Sequence, residues 1–382
     1  MAIPLIKAEV DLTAIAHNVR EFKRLVSPDV TIMPAVKADG YGHGAIEVSK
    51  TALQNGASRL GVARIEEGIT LRNSGIDAPI LVFGYTSPEN AIDVIENDLT
   101  ITISEKDVAS KFALAATTLG KEVKIHFKID SGMGRIGMLT QDGHPATPDL
   151  STNSIDPVID ISKMKGLELE GLYTHFAQAD HKDKQYTQQQ FEIFSSFSKQ
   201  LKAAGLEIPF IHAANSAAAI EMPETHLDMI RPGISVYGLY PSDEVDKSLI
   251  DLKPAMQLKT KIVSLKKVAK GFNVSYGSTY VTEKETTIAV VPIGYADGFS
   301  RHFSSNGSML VHGKKVPIVG RVCMDLTMLD VGGIFDVALE DEVVVFGSQK
   351  DNFIGADELA VNAGTINYEI VSAITSRVPR IY

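Results

Sequence analysis

Eight short apolar runs recur between residues 31 and 233, and amphipathic segments separate most of them. The runs are Thr31–Lys37, Arg59–Ala63, Pro79–Gly84, Thr100–Ser104, Glu122–Asp130, Leu167–Phe176, Pro209–Ala214 and His226–Gly233. Segments with helical spacing include Glu66–Asn73, Pro88–Asn97, Glu105–Leu119 and Asp183–Ala204. Another precedes the first run: Asp11 can cap a helix whose apolar face is Leu12, Ile15, Val19, Phe22 and Val26. Strands alternating with helices form parallel sheets, because a parallel neighbour needs a long crossover connection. Eight such units suggest a (β/α)8 barrel of the TIM type. An open doubly wound sheet uses the same alternation, and the count alone leaves both architectures open.

The pattern changes near residue 240. From Pro254 onward strand-like alternation and turns dominate, as in Lys259–Leu265, Thr287–Pro292, Ser308–Val311, Lys315–Val319 and Glu342–Phe346. Gly271, Asn306-Gly307 and Gly332-Gly333 are turn candidates. The spacing therefore predicts an α/β barrel over residues 1–240 and a smaller, mainly β C-terminal domain over 241–382, with Pro241–Asp246 as connector. A chain of 382 residues can bury two cores. Residues 141–157 read as a polar, proline-containing loop to which the sequence gives no function.

Composition narrows the class of function. The net charge of −10, without a long basic run, argues against nucleic acid as the main partner. The single Cys323 excludes an intrachain disulfide and a cysteine-rich metal site. The N-terminus MAIPLIKAEVDL lacks a secretory pattern, and no run is long enough to span a bilayer. These absences make a cytoplasmic location the expectation.

In a barrel, chemistry gathers at the C-terminal ends of the strands. Lys37, Lys128, His175 and Arg231 fall at such ends. A lysine desolvated there has a lowered pKa, and its neutral amine can attack a carbonyl; the competing reading is a strand-end lysine reaching for water. Gly132-Met-Gly134-Arg-Ile-Gly137 matches a dinucleotide-binding fingerprint, but no helical periodicity follows it. It contains Arg135, whose guanidinium suits either a carboxylate ligand or a surface ion pair. His175 reads as a strand histidine rather than a metal ligand, because no compact acidic–histidine set accompanies it. Ser216 opens a short helical stretch, where a serine caps the helix, meets a phosphate, or does both.

The stretch AVKADGYGHG around Lys37 resembles the pyridoxal-phosphate (PLP) lysine segment of alanine racemases. The resemblance continues through HFKIDSGMGRIG, LYTHFAQAD, HAANSAA, IRPGISVYG, VSYGSTY, IGYADG, GRVCMDLTMLDV and INYEIVSAITSRVPRIY, in family order from residue 35 to the C-terminus. It implies that Lys37 carries PLP as a Schiff base and works with Tyr276 as the two acid/base groups on opposite faces of the substrate. PLP is an electron sink that acidifies the α-proton of an amino acid. The resemblance assigns the cofactor phosphate to Tyr41, Ser216, Tyr368 and the backbone N–H groups of Gly233 and Ile234. It sets His175 beside the cofactor, hydrogen-bonded to Arg231, and faces Arg231 to the pyridine nitrogen. An arginine keeps its proton, so the ring nitrogen would stay unprotonated and transamination would be restrained. Arg135 and the Met324 amide would hold the substrate carboxylate, with a carbamylated Lys128 orienting Arg135. Tyr295 resembles a gate at the substrate entrance. Tyr276, Tyr295 and Met324 would come from the neighbouring subunit of a head-to-tail homodimer.

What the resemblance implies is racemisation of alanine, with D-alanine supplied to a bacterial cell wall. Other readings are a racemase for serine or a broader range, an amino-acid decarboxylase of the same plan, and a PLP-binding carrier. Arg231, Tyr276 and Met324 favour the racemase, since a carrier needs no β domain.

Overall fold

Each of the eight runs contains a strand. They are β1 (Thr31–Ile32), β2 (Leu60–Val62), β3 (Ile80–Val82), β4 (Thr100–Ile103), β5 (Val123–Asp130), β6 (Leu167–Tyr173), β7 (Phe210–His212) and β8 (Met229–Ile230). A computed structural model describes residues 4–140 and 155–382, so most of the polar loop at 141–157 lies outside the described residues. Strands β2 to β7 pair in parallel and in chain order. Strand β8 pairs in parallel with β1. Backbone bonds close the two remaining seams. Val36 N donates to Gly61 O at 2.8 Å and Gly61 N to Pro34 O at 2.9 Å, beside β1 and β2. Arg231 N donates to Ala214 O at 2.9 Å, beside β7 and β8. Hydrogen bonding therefore runs round a closed circuit, which an open doubly wound sheet does not have.

Helices Ile65–Asn73, Ala91–Glu96, Lys106–Thr118 and Gln185–Ala203 follow strands β2, β3, β4 and β6. Their apolar stripes are buried, as at Ala109, Phe112 and Ala116. Inside the ring Met33, Leu81 and Met229 pack together. No helix among the described residues is long and apolar enough to cross a membrane.

The chain forms two compact units, and their membership is not a single cut. The barrel unit is Thr13–Gly40 with Ala45–Pro254; the other takes the N-terminal residues to Leu12, Tyr41–Gly44 and Ala255–Tyr382. A division at 240/241 leaves Ile6–Val10 with the barrel. The structure pairs that strand antiparallel with Met256–Lys261, and in parallel with Arg380–Ile381. Residues 241–254 stay with the barrel.

The second unit is mainly β. Among its described residues, Lys314–Pro317, Ser308–Val311, Glu342–Gln349, Met256–Lys261, Ile6–Val10 and Arg380–Ile381 follow one another across one sheet. Ser264–Val268, Thr286–Val291 and Thr327–Asp330 form another. Buried Leu258, Leu310, Val343 and Val345 belong to its core. Helices Ala356–Ala363 and Asn367–Ser372 complete it.

Candidate active site

Lys37 sits just past β1, at the start of a turn with unusual backbone. Ala38, Asp39 and Gly40 all adopt left-handed conformations, with φ of 52°, 51° and 61°. Gly40 takes this freely, but each non-glycine residue costs about 1–2 kcal/mol. Side-chain carboxylates hold the turn. Glu67 Oε1 accepts from Ala38 N at 2.6 Å, while its Oε2 accepts from Ala63 N at 2.7 Å and Arg64 N at 3.1 Å. Asp39 Oδ1 accepts from Ala45 N at 2.9 Å. Strain held by surrounding bonds is a mark of functional sites. Burial, then the charge of Arg135, lowers the Lys37 pKa, against an opposing pull from Glu67.

Lys37 is one of a set of cations. Burial and then the charges of Arg135 and Arg231 pull Lys128 down to about 8, with Asp130 opposing and Lys37 contributing further. Burial, followed by Arg231, Arg135, Lys128 and Lys37, pushes His175 well below the ordinary imidazole value. His175 therefore feels all four positive side chains and stays neutral. Lys128 Nζ and Arg231 Cζ lie 5.3 and 5.1 Å from the centre of the Tyr173 ring. Asp130, the nearby acid, does not neutralise the set by ion pairing. Its Oδ1 accepts from Gly132, Met133 and Gly134 N, and its Oδ2 from Arg135 N. Those bonds shape the Gly132–Gly137 segment as a turn instead of the opening of a dinucleotide-binding helix.

Arg231 is buried, and burial lowers its pKa only to about 10, so it remains charged. Its Nη2 donates to Thr174 O at 2.7 Å and Ala213 O at 2.9 Å. Its Nη1 donates to His212 Nδ1 at 2.7 Å. The imidazole partner is thus His212, which corrects the expectation that it is His175. His212 stacks on Tyr173 with ring centres 4.9 Å apart and planes 2° apart, which fixes the acceptor nitrogen toward the guanidinium. Five N–H groups less these bonds leave the Nε–H and one Nη1–H of Arg231 outside the hydrogen bonds it makes among the described residues.

Ser216 does not cap its helix. Asn215 does, its side chain accepting from Ala218 N at 3.1 Å. The Ser216 hydroxyl accepts instead from Gly233 N at 2.8 Å, joining the Ser216 and Gly233-Ile234 segments.

The remaining predicted residues belong to the second unit and form two groups there. Tyr276, Tyr295 and Met324 are 71%, 41% and 53% exposed. Their loops are zipped together: Tyr295 N donates to Cys323 O at 3.1 Å, Ala296 N to Met324 O at 3.0 Å, and Ser275 Oγ to Arg321 O at 2.6 Å. A Cβ on Gly294 would lie 2.3 Å from the carbonyl oxygens of Cys323 and Met324, so the approach depends on that glycine. Arg377 pairs with Asp325 at 2.8 Å and Asp297 at 3.4 Å, latching the two loops. Separately, Tyr41 and Tyr368 bring their rings to 6.2 Å.

Comparison with known proteins covers both units. Residues 10–241 match the family profile "Alanine racemase, N-terminal domain", and residues 255–382 match "Alanine racemase, C-terminal domain". The chain belongs to the alanine racemase family. Alanine racemase of Desulfosudis oleivorans is 53% identical over 98% of this chain and 96% of its own length. That of Methanococcus maripaludis is 48% identical over 98% of both chains. Among solved structures, alanine racemase of Clostridium difficile 630 superposes with a TM-score of 0.93 at 41% identity, covering 100% of this chain and 96% of that one. Alanine racemase from Bacillus anthracis with bound L-Ala-P gives 0.91 at 40% identity, covering 100% and 95%. The architecture is thereby that of the racemases, barrel plus β domain, and the chain is an isomerase of that class.

Within this racemase-family chain, the sequence reading passed over Tyr173, His212 and Arg377. Tyr173 and His212 lie in quoted motifs, and both are polar side chains in buried strands. Such groups need partners, which is the signal that could have found them.

Proposed function

We propose that this chain interconverts L- and D-alanine using PLP held at Lys37. The observation that carries this reading is the set of Lys37, Lys128, Arg135 and Arg231 around neutral His175, with the nearby acid Asp130 already engaged by backbone N–H groups. The two guanidiniums of that set suit a ligand with more than one negative group, as a phosphate-bearing cofactor and an amino-acid carboxylate together provide, and they keep this role when Lys37 holds the cofactor and Lys128 is a carbamate. Bound PLP supplies an electron sink that acidifies the substrate α-proton.

The side chains then divide the work. Lys37 holds the cofactor and, as a neutral amine favoured by burial, exchanges the α-proton on one face. Tyr276 exchanges it on the other. Tyr41, Ser216, Tyr368 and the N–H groups of Gly233 and Ile234 hold the phosphate. Arg231 would serve the pyridine nitrogen, where a guanidinium that keeps its proton would leave the ring nitrogen unprotonated, and His175 would help to hold the cofactor. Arg135 and the Met324 amide bind the substrate carboxylate. Lys128 as a carbamate orients Arg135, and Tyr295 gates the entrance. The exposure of Tyr276, Tyr295 and Met324 on one surface supports a homodimer in which each chain completes its neighbour's site. The role would be supply of D-alanine for peptidoglycan in the cytoplasm.

The test is chiral chromatography of L-alanine incubated with PLP-loaded protein, beside L-serine and L-lysine. D-alanine formed ahead of the other D-isomers supports the reading. D-serine or D-lysine alone keeps the chemistry and changes the substrate. No D-isomer from any of them overturns it.

A further inference from the structure

A line of hydrogen bonds crosses the barrel interior and ends on Arg231. Arg59 Nη1 and Nη2 donate to Glu170 Oε2 and Oε1 at 2.8 and 2.6 Å. His126 Nε2 lies 3.1 Å from Glu170 Oε2. His126 Nδ1 lies 2.8 Å from His212 Nε2, and His212 Nδ1 lies 2.7 Å from Arg231 Nη1. Both imidazoles are completely buried. The sequence leaves room for the line: a Cβ on Gly171 would fall 2.4 Å from His126 Nδ1.

Proton accounting allows one arrangement. A guanidinium only donates, so His212 Nδ1 accepts. Burial pushes the pKa of His126 down and that of His212 well down, so both are neutral and each carries one N–H. His212 therefore holds its proton on Nε2 and donates to His126 Nδ1. His126 in turn holds its proton on Nε2 and donates to Glu170. The far end agrees, because an ionised carboxylate only accepts. Burial would raise the Glu170 pKa, but the bonds from His126 and Arg59 prevail and hold it at about 2. With the opposite tautomers, an N–H of His212 would point at an N–H of Arg231.

We infer that Glu170 is a positioning residue: accepting at the far end, it forces on His126 and His212 the same tautomers that Arg231 requires, and so holds the orientation of Arg231. The consequence for catalysis rests on the proposed PLP reading, since Arg231 matters there through the ring nitrogen. The tautomers do not depend on that reading.

The test is nitrogen-15 NMR of histidine-labelled protein, with and without PLP, assigned with His126→Asn and His212→Asn. Both wild-type imidazoles are expected as neutral Nε2–H tautomers from about pH 6 to 9, a range that brackets the ordinary histidine value. In Glu170→Gln the carboxamide can also donate to His126, so only the Arg231 end still sets the direction; Arg231 should turn away from His212 Nδ1 in part of the molecules, leaving His212 a mixture. Loaded Glu170→Gln should lose about tenfold in kcat with KM changed less than about threefold, because the line ends on Arg231 and not on Arg135. The visible absorbance of its lysine–cofactor adduct should also shift. Glu170→Asp, which keeps the charge, should restore the Nε2–H tautomers. A charged or Nδ1–H His212 in the wild type overturns the inference even if no variant folds. Wild-type tautomers in Glu170→Gln overturn it whatever the rate. Altered tautomers with an unchanged kcat overturn its catalytic half. Expected tautomers in a wild-type chain that takes up no PLP support the line itself and sink the functional reading instead.

Discussion

The carboxylate of Asp130 holds the backbone of Arg135: Oδ2 accepts from Arg135 N at 2.9 Å, while Oδ1 gathers the N–H groups of Gly132, Met133 and Gly134. Burial works to raise the Asp130 pKa, and these backbone bonds override it and lower it. Gly137 closes the turn, since a Cβ there would lie 2.6 Å from Asp130 N. Asp130 therefore fixes the backbone from which the Arg135 side chain extends. Asp130→Asn removes the charge and leaves one acceptor oxygen. KM for the amino acid should rise about tenfold, with kcat falling less than about threefold. Steady-state kinetics decide it, and a fall confined to kcat counts against a role through Arg135.

Lys37→Ala should abolish both turnover and the visible absorbance of bound cofactor; retained racemisation would refute the assignment of Lys37. Tyr276→Phe is subtler. Racemisation has an equilibrium constant of one, so kcat/KM must fall equally in the two directions, and any inequality shows in kcat and KM separately. Lys37 should still exchange the α-hydrogen of one enantiomer with deuterated solvent while racemisation falls. Proton NMR of each enantiomer reads this. Exchange lost equally from both enantiomers argues against a base on each face.

Whether Tyr276 serves its own barrel or its neighbour's can be settled by mixing. Lys37→Ala and Tyr276→Phe chains, unfolded and refolded together, form some mixed dimers. If Tyr276 acts across the interface, each mixed dimer has one intact site, so activity returns to about a quarter of wild type. If Tyr276 acts within its own chain, every site is broken and nothing returns.

How much could be read from the sequence follows from which interactions are local. All eight barrel strands were legible, because a strand buried on both faces is a continuous apolar run. Lys37 was legible as a lysine ending such a run. The left-handed turn after it was not, since nothing in Lys37-Ala-Asp-Gly40 shows that Glu67, far along the chain, accepts from Ala38. The place of Ile6–Val10 was also hidden: its partner strand lies at Met256–Lys261, and pairing over that separation leaves no local trace. His212 was missed for a third reason. A histidine next to Ala213-Ala214 reads as core filling until its partner Arg231 is known.

Lys128 gives a prediction whose sign depends on carbon dioxide. Its folded pKa of about 8 is below the unfolded value near 10.4, so between those values the unfolded chain binds more protons. Stability should then rise with pH through that window. At neutral pH the Lys128 charge is a cost, set by burial and by Arg135 and Arg231. In carbon-dioxide-free buffer at pH 7, Lys128→Gln should raise Tm by about 1–3 °C, and the gap should close toward pH 10. Bicarbonate should reverse the ranking. The neutral amine forms an N–C bond to carbon dioxide and loses a proton to solvent, leaving an anion beside Arg135. Wild type should then gain the mass of one carbon dioxide in native mass spectrometry, show a carbamate carbon with labelled bicarbonate, and exceed Lys128→Gln in both Tm and kcat/KM. A bare ammonium at Lys128 in saturating bicarbonate would remove the carbamate from the site and leave Asp130 alone to orient Arg135.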